Sequence, residues 1–223
     1  MLVPLFSYLY QRGRCAHCGT KFSAQYPLVE ALAGMLFVAI FVTHQIEPFA
    51  TPLRDWIFAL IDACVWATLL AIMVYDLRHK IIPDGFSVTF ALLALLALAF
   101  KWWWGILPAH DIVFMNAVPY WMDWAAGPVL AMPFATLWLL SGGRAMGLGD
   151  AKLAWGIGWF LGFSSGVTAI VLAFWIAFLP SLVMLFLPTK RFTMKSEIPF
   201  APFLVFGTLV TYFFNINILS WSF

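Results

Sequence analysis

Residues 55–76 read DWIFALIDACVWATLLAIMVYD, and apart from Asp55, Asp62 and the terminal Asp76 the stretch is almost entirely apolar. A helix that crosses a lipid bilayer needs about 20 mostly apolar residues. The segment is therefore predicted to be a membrane-spanning helix with an acidic side chain at its end. Ionisable side chains at membrane depth are costly, which makes Asp62 and Asp76, together with Glu30 and Asp150 elsewhere in the chain, candidates for function.

The composition of the whole chain agrees with a membrane protein. Of its 223 residues, 64% are hydrophobic and 10% are charged, and the mean hydropathy is +0.94, whereas soluble domains average about 25% charged residues. The net charge of +2 is too small, and the basic residues are too scattered, to indicate nucleic acid as a partner. The expected partner of so apolar a chain is the lipid bilayer.

Seven segments are candidates for spanning helices. They are residues 28–44, 55–76, 85–104, 124–140, 149–163, 165–187 and 199–217. The fifth is short, and a tight turn at Ser164 is predicted to separate it from the sixth. The predicted fold class is all-α, a polytopic membrane protein of about seven helices, in which a segment of residues 1–27 precedes a membrane domain of residues 28–223.

The basic residues predict the orientation of these helices. Ten of the twelve Lys and Arg residues fall on one side, in the gaps 1–27, 77–84, 141–148 with the start of the next helix, and 188–198. Only Arg54 and Lys101 fall on the other side. Because cytoplasmic loops are enriched in basic residues, the N-terminus is predicted to be cytoplasmic.

Two aspartates at the predicted cytoplasmic boundary form a candidate catalytic pair. Asp76 ends the second span, and Asp150 begins the fifth within GLGDAK, residues 147–152. Two spans separate them, so both lie at the same membrane face whichever way the chain is oriented. Two carboxyl groups at one site can share a single proton. The ionised group can then activate water while the protonated one polarises a scissile carbonyl.

The residues around Asp150 fit this chemistry. Gly147 and Gly149 are predicted to permit a positive φ and the close approach of a peptide backbone. A helix start also places Asp150 near the positive end of the helix dipole. A structural interpretation stays open for each aspartate alone, since a Gly-Asp before a helix is often an N-cap.

Two further acidic residues, Asp84 and Asp62, are predicted to be structural. Asp84, after Pro83, is predicted to cap the third span. Asp62 lies 14 residues before Asp76, which is about 21 Å along a helix. We therefore predict that Asp62 is an interhelical hydrogen-bond partner and not a third catalytic acid. Glu30 can equally be structural.

The cysteines suggest half of a metal site. Cys15 and Cys18, in CAHCG, form a CxxC knuckle, which supplies two of the four ligands of a structural zinc site. A disulfide is disfavoured in the cytoplasm. The alternatives are a zinc site completed elsewhere, with His17 as one candidate, or free thiols. Cys64 is predicted to be a small buried apolar residue.

These motifs resemble those of the bacterial type IV prepilin leader peptidases, which are membrane aspartyl peptidases of the GxGD kind. The resemblance covers nearly the whole chain and is specific in four stretches: YPLVE at 26–30, DLRHKIIPD at 76–84, GLGDAK at 147–152 and IPFAPF at 198–203. It implies that Asp76 and Asp150 are the catalytic aspartates, and that the substrate approaches the motif residues Gly147, Gly149 and Lys152. The implied substrates are prepilins and pseudopilins, whose short basic leader is cut at the cytoplasmic face of the bacterial inner membrane.

The start of the chain departs from the family pattern. Long family members carry a further helix and a second CxxC pair, and many also N-methylate the new N-terminus with S-adenosylmethionine. Residues 1–9 resemble the middle of the family's cytoplasmic region, so the chain is either a shortened member or begins upstream of Met1. No residue is assigned to the methyl donor.

Two alternative functions remain. The YD and GLGD motifs, at 75–76 and 147–150, also resemble those of presenilin and signal peptide peptidase, but the Pro-Ala-Leu element of those proteins is absent from the sequence. A proton- or ion-coupled transporter could use Asp62, Asp76 and Asp150 as a relay. It would require discontinuous helices and an internal repeat, and neither is legible in the sequence.

Overall fold

A computed structural model describes residues 4–15, 18–47, 49–105, 110–112, 115–118, 120–144, 146–186 and 199–219. Within these ranges the chain forms eight α-helices and two short strands. The helices are α1 (Pro4–Tyr10), α2 (Gln25–Thr43), α3 (Leu53–His79), α4 (Asp84–Trp103), α5 (Tyr120–Ser141), α6 (Leu148–Leu161), α7 (Phe163–Phe186) and α8 (Ala201–Phe214). The strands β1 (His110–Ile112) and β2 (Met115–Val118) pair antiparallel. The all-α prediction is confirmed, with this small hairpin as an addition.

Each of the seven predicted segments coincides with one helix, from α2 to α8. Five of these helices, α2, α3, α4, α5 and α7, contain stretches long and apolar enough to cross a membrane. The chain is therefore a multi-pass membrane protein. α6 and α8 have only 14 residues each, fewer than the usual span. The count of seven spans and the side of the N-terminus stay predictions.

The chain divides into two compact units, residues 1–70 and 71–223. In the first unit, Nε2 of His44, just after α2, lies 2.8 Å from Oδ2 of Asp62 in α3. The prediction that Asp62 is a hydrogen-bond partner between helices is confirmed. The prediction that Cys64 is buried is wrong, because its side chain is exposed on α3. A small apolar residue can face lipid as readily as a protein core. The predicted domain boundary after residue 27 stays a prediction.

The second unit is built around α6, which packs against α4, α5, α7 and α8. Close packing depends on small residues, since a Cβ added at Gly158 would lie 2.5 Å from the carbonyl oxygen of Ala126 in α5. Small residues let membrane helices approach closely. α6 is short and, beyond Lys152, entirely apolar, which is typical of a buried central element. It holds Asp150 from this central position.

A single glycine joins α6 to α7. Gly162 has a φ of 80°, and a Cβ at this position would lie 2.7 Å from Oδ1 of Asp123. The same oxygen accepts a hydrogen bond of 2.9 Å from the backbone N–H of Phe163. The prediction of the tight turn at Ser164 is therefore wrong by two residues. The turn needs a left-handed residue without a side chain, and Ser164 instead lies in the first turn of α7.

Candidate active site

The first predicted aspartate lies where α3 ends. Asp76 is buried, with 5% of its surface exposed. Lys80 closes the helix in the left-handed conformation, with a φ of 55°, and its N–H donates to the backbone oxygen of Asp76 at 2.8 Å. The chain then runs to Pro83, whose extended backbone precedes the first residue of α4. Residues 80–83 therefore form a short non-helical connection beside Asp76.

The second aspartate lies in the first turn of α6. Gly147 is the N-cap residue, with an extended backbone at a φ of −75°, and Asp150 is the third residue after it. The Asp150 carboxyl accepts a hydrogen bond from the backbone N–H of Gly147, which is the return bond of a capping box. Asp150 is nevertheless buried, with 9% exposed. A capping role and a role in chemistry are therefore compatible at this residue.

The structure brings the two carboxyl groups to one site. Asp76 acts electrostatically on Asp150, and the backbone N–H of Ala201, the first residue of α8, is directed at the Asp76 carboxyl. Three helices, α3, α6 and α8, thus contribute to the site. Oδ2 of Asp76 is buried and has no hydrogen-bond partner among the described residues. A buried carboxyl oxygen without a partner is costly, and it is the kind of atom that binds a water or a substrate.

The glycines of GLGD act differently from the prediction. Gly147 has a negative φ, and Gly149, inside α6, is not among the glycines of positive φ. The expectation of a left-handed conformation is wrong because an extended N-cap and a helical first turn both need negative φ. Gly149 instead permits close packing, since a Cβ there would lie 3.0 Å from Cβ of Ile82.

Lys152 pairs with Asp84, which was predicted to cap the third span. Its Nζ lies 2.5 Å from Oδ1 of Asp84, the first residue of α4. The N-cap of α4 is Pro83, without a side-chain capping bond, so the prediction that Asp84 is an N-cap is wrong. A hydrogen bond between two charged groups is stronger than one to a neutral amide, which explains why the carboxylate turns to the ammonium group.

The cysteine knuckle presents two thiols close together. Sγ of Cys18 lies 3.0 Å from Oγ1 of Thr20, and this hydrogen bond, aided by Cys15, lowers the pKa of Cys18 to about 7. Thiolates are the form that binds zinc, so the pair fits half of such a site. In the described ranges no group of three or more His, Cys, Asp or Glu could hold a metal ion, and His17 lies outside them. The zinc site stays a prediction.

Two contributors to the site were not predicted from the sequence. They are the backbone N–H of Ala201 and the side chain of Ile82. A signal existed for the first, because IPFAPF was singled out as a motif, but a backbone group gives no pattern of its own. Ile82 looked like one apolar residue among many.

Sequence comparisons agree with the geometry. The profile of the Type IV leader peptidase family matches residues 63–185, which include Asp76 and Asp150, and the profile of the Bacterial Peptidase A24 N-terminal domain matches residues 1–44. The chain belongs to the type IV leader peptidase family. Membership in this family makes it a peptidase, an enzyme held in the membrane by its apolar helices.

Curated relatives in this family are similar over almost the whole chain. A prepilin leader peptidase/N-methyltransferase of Xanthomonas campestris pv. campestris is 30% identical over 221 residues, 98% of this chain and 69% of the relative. Proteins of the same name from Aeromonas salmonicida and Dichelobacter nodosus are 27% and 29% identical, over 98% and 97% of this chain and 68% and 67% of their own lengths. No solved structure matches the chain.

Proposed function

We propose that the chain is a prepilin leader peptidase, a membrane aspartyl endopeptidase with Asp76 and Asp150 as its catalytic pair. The observation that carries this proposal is the presence of two buried, electrostatically interacting carboxyl groups at the ends of α3 and α6, one of which has an unpartnered oxygen. The names of the relatives support prepilins as the substrates, and the motif resemblance extends this class to pseudopilins.

The two carboxyl groups divide the work of hydrolysis. One carboxylate takes a proton from a water molecule, whose oxygen attacks the carbonyl carbon of the scissile peptide bond. The protonated partner donates a hydrogen bond to the carbonyl oxygen and then a proton to the leaving amine. The pair begins and ends with one proton between its two groups, so it is regenerated in each cycle.

The cleavage is proposed to occur at the cytoplasmic face of the bacterial inner membrane. The support is the distribution of charge, since ten of the twelve basic residues fall on the side where α3 ends and α6 begins. A prepilin leader is short and basic, so it would remain in the cytoplasm while the apolar helix behind it enters the bilayer. A pair at the membrane edge would meet the junction between them.

The test is substitution of each aspartate in the purified enzyme. Asp76→Asn and Asp150→Asn are each expected to lower the rate of prepilin cleavage at least about a thousandfold, because an amide cannot share the proton. Asp62→Asn is the matched control: it makes the same change at a buried position of the same helix, and Asn can still accept a hydrogen bond from His44. Cleavage is followed by mass spectrometry.

Near wild-type cleavage by either variant of the pair would end the proposal. Loss of activity in Asp62→Asn would show that any buried amide on α3 damages the enzyme. The transporter alternative gains no support, since Asp62 binds His44 and the family is one of peptidases. Ion uptake into proteoliposomes that Asp62→Asn removes would revive it.

We also propose that Cys15 and Cys18 hold a structural zinc ion together with ligands outside the described residues. Zinc would stabilise the knuckle and take no part in hydrolysis. Metal analysis of the purified protein is expected to find zinc in the wild type and in Cys64→Ser, and to lose it in Cys15→Ser. Zinc retained in Cys15→Ser would contradict the proposal.

N-methylation of the product with S-adenosylmethionine is tested in the same mass spectra as cleavage.

A further inference from the structure

The connection between α3 and α4, and the first residue of α4 after it, both contact the N-terminal part of α6. Ile82 meets Gly149, where a Cβ would lie 3.0 Å from that of Ile82. Two residues further along, Asp84 binds the ammonium group of Lys152. These contacts lie close in sequence to both candidate catalytic residues: Gly149 and Lys152 lie on either side of Asp150, and Ile82 and Asp84 follow Asp76 by six and eight residues.

We propose that Asp84 and Lys152 are a positioning pair that sets the separation of the Asp76 and Asp150 carboxyl groups. The ion pair joins the start of α4 to the N-terminal part of α6, which carries Asp150. Because α4 follows α3 after only the short connection 80–83, the pair also restrains the end of α3, which carries Asp76. This inference rests on the proposed peptidase function of the same site. Neither residue of the pair reacts with the substrate.

The backbone beside Asp76 explains why such a pair is needed. The helical hydrogen bonds of α3 end at Lys80, whose backbone is in the left-handed conformation, and α4 begins only at Asp84. The connection between them has no helical backbone hydrogen bonds of its own, so its contacts with α6 set its position. Misplacement of a catalytic group by about 1 Å can cost about a hundredfold in rate.

The exposure of the pair separates a positioning role from a purely structural one. The Lys152 side chain is 38% exposed and that of Asp84 is 76% exposed. Exposed ion pairs contribute little to the free energy of unfolding. Loss of the pair should therefore leave the fold intact while the geometry of the site loosens, and the change should appear in kcat.

A competing role for Asp84 is direct binding of a basic residue of the substrate leader. The structure favours positioning because Lys152 already neutralises the Asp84 carboxylate at hydrogen-bond distance. The two roles give different kinetics. A substrate contact changes KM, whereas a positioning contact changes kcat at nearly constant KM.

The kinetic test compares Asp84→Asn, Lys152→Met and the exchanged pair Asp84→Lys with Lys152→Asp. Each single variant is expected to lower kcat about fivefold, with KM within about twofold of the wild type. This factor is the rate change that corresponds to the upper range of interaction free energy measured for exposed ion pairs. The exchanged pair is expected to recover most of the lost kcat, and Lys152→Arg to stay near the wild type. An exchanged pair as slow as the single variants, or a raised KM at unchanged kcat, would overturn the inference.

A second measurement needs no substrate, so it stands even if the proposed function fails. Spin labels are attached to ketone-bearing amino acids introduced at Leu77 and Leu148, exposed neighbours of the two candidate catalytic residues, so that all three cysteines stay in place. Electron paramagnetic resonance is expected to show a narrow distance distribution with the native pair, a broader one in Lys152→Met, and a narrow one again in the exchanged pair. An unchanged distribution in Lys152→Met would overturn the inference. Absence of prepilin cleavage by the wild type would instead count against the proposed function.

Discussion

Trp159 compensates for a hydrogen bond that Pro128 removes from α5. Proline has no N–H, so Pro128, inside that helix, leaves the carbonyl of Trp124 without its usual partner four residues on. Nε1 of Trp159, in α6, donates a hydrogen bond of 2.9 Å to that carbonyl. The backbone must be satisfied within the protein at membrane depth, and here a side chain from a neighbouring helix satisfies it.

We predict that Trp159→Phe lowers the free energy of unfolding by about 1–3 kcal/mol, because it leaves this carbonyl unpaired. The measurement is thermal or detergent-induced unfolding in micelles. Trp155→Phe is the matched control, since Trp155 packs edge to face with Trp159 at a centroid distance of 5.6 Å and beside the same Gly127. Equal destabilisation by the two substitutions would show that ring volume, and not the hydrogen bond, is responsible.

At the scale of helices, the contact between Gly149 and Ile82 sets how closely α6 approaches the connection before α4. A methyl group at Gly149 would press on Cβ, Cγ1 and Cδ1 of Ile82, at 3.0–3.3 Å. Overpacking of this kind typically costs about 1–3 kcal/mol. At this position the cost should appear as a shift of Asp150 away from Asp76.

We predict that Gly149→Ala lowers prepilin cleavage at least about tenfold, and that Ile82→Ala in the same chain restores part of the loss. Contacting residues give non-additive effects. The double variant should therefore lose less cleavage activity than the losses of the two single variants combined. Gly147→Ala serves as the control, because its Cβ would meet nothing closer than 3.8 Å. If Gly147→Ala lost more cleavage activity than Gly149→Ala, the packing explanation would be wrong. The glycines would then be needed for the close approach of the substrate backbone.

At the scale of the whole molecule, the orientation in the membrane is the prediction that the proposed function most depends on. Cys18 is exposed in the segment before α2, and Cys64 is exposed on α3. After a chelator has removed any bound zinc, a membrane-impermeant maleimide should label Cys18 in inverted vesicles but not in intact cells, because the N-terminal segment is predicted to be cytoplasmic. Cys64 should stay unlabelled in both preparations, since its surface faces lipid. Labelling of Cys18 only from outside would reverse the topology.

The sequence alone determined the helices of this protein and singled out its two candidate catalytic side chains. Length and apolarity dictate where a chain in a bilayer is helical, because the backbone must satisfy its own hydrogen bonds. All seven predicted segments accordingly coincide with helices. Asp76 and Asp150 could be singled out because acidic residues are rare and costly in such segments.

The tertiary structure alone decided which groups meet around those side chains. The pairing of Lys152 with Asp84, the packing of Gly149 on Ile82 and the turn at Gly162 all depend on which helices are neighbours. When a helix is apolar on every face, its sequence does not show which face contacts another helix, because lipid and protein are equally good surroundings for a Leu or a Phe. The partners are therefore chosen by close packing and by hydrogen bonds between distant residues, which become visible only in the folded chain.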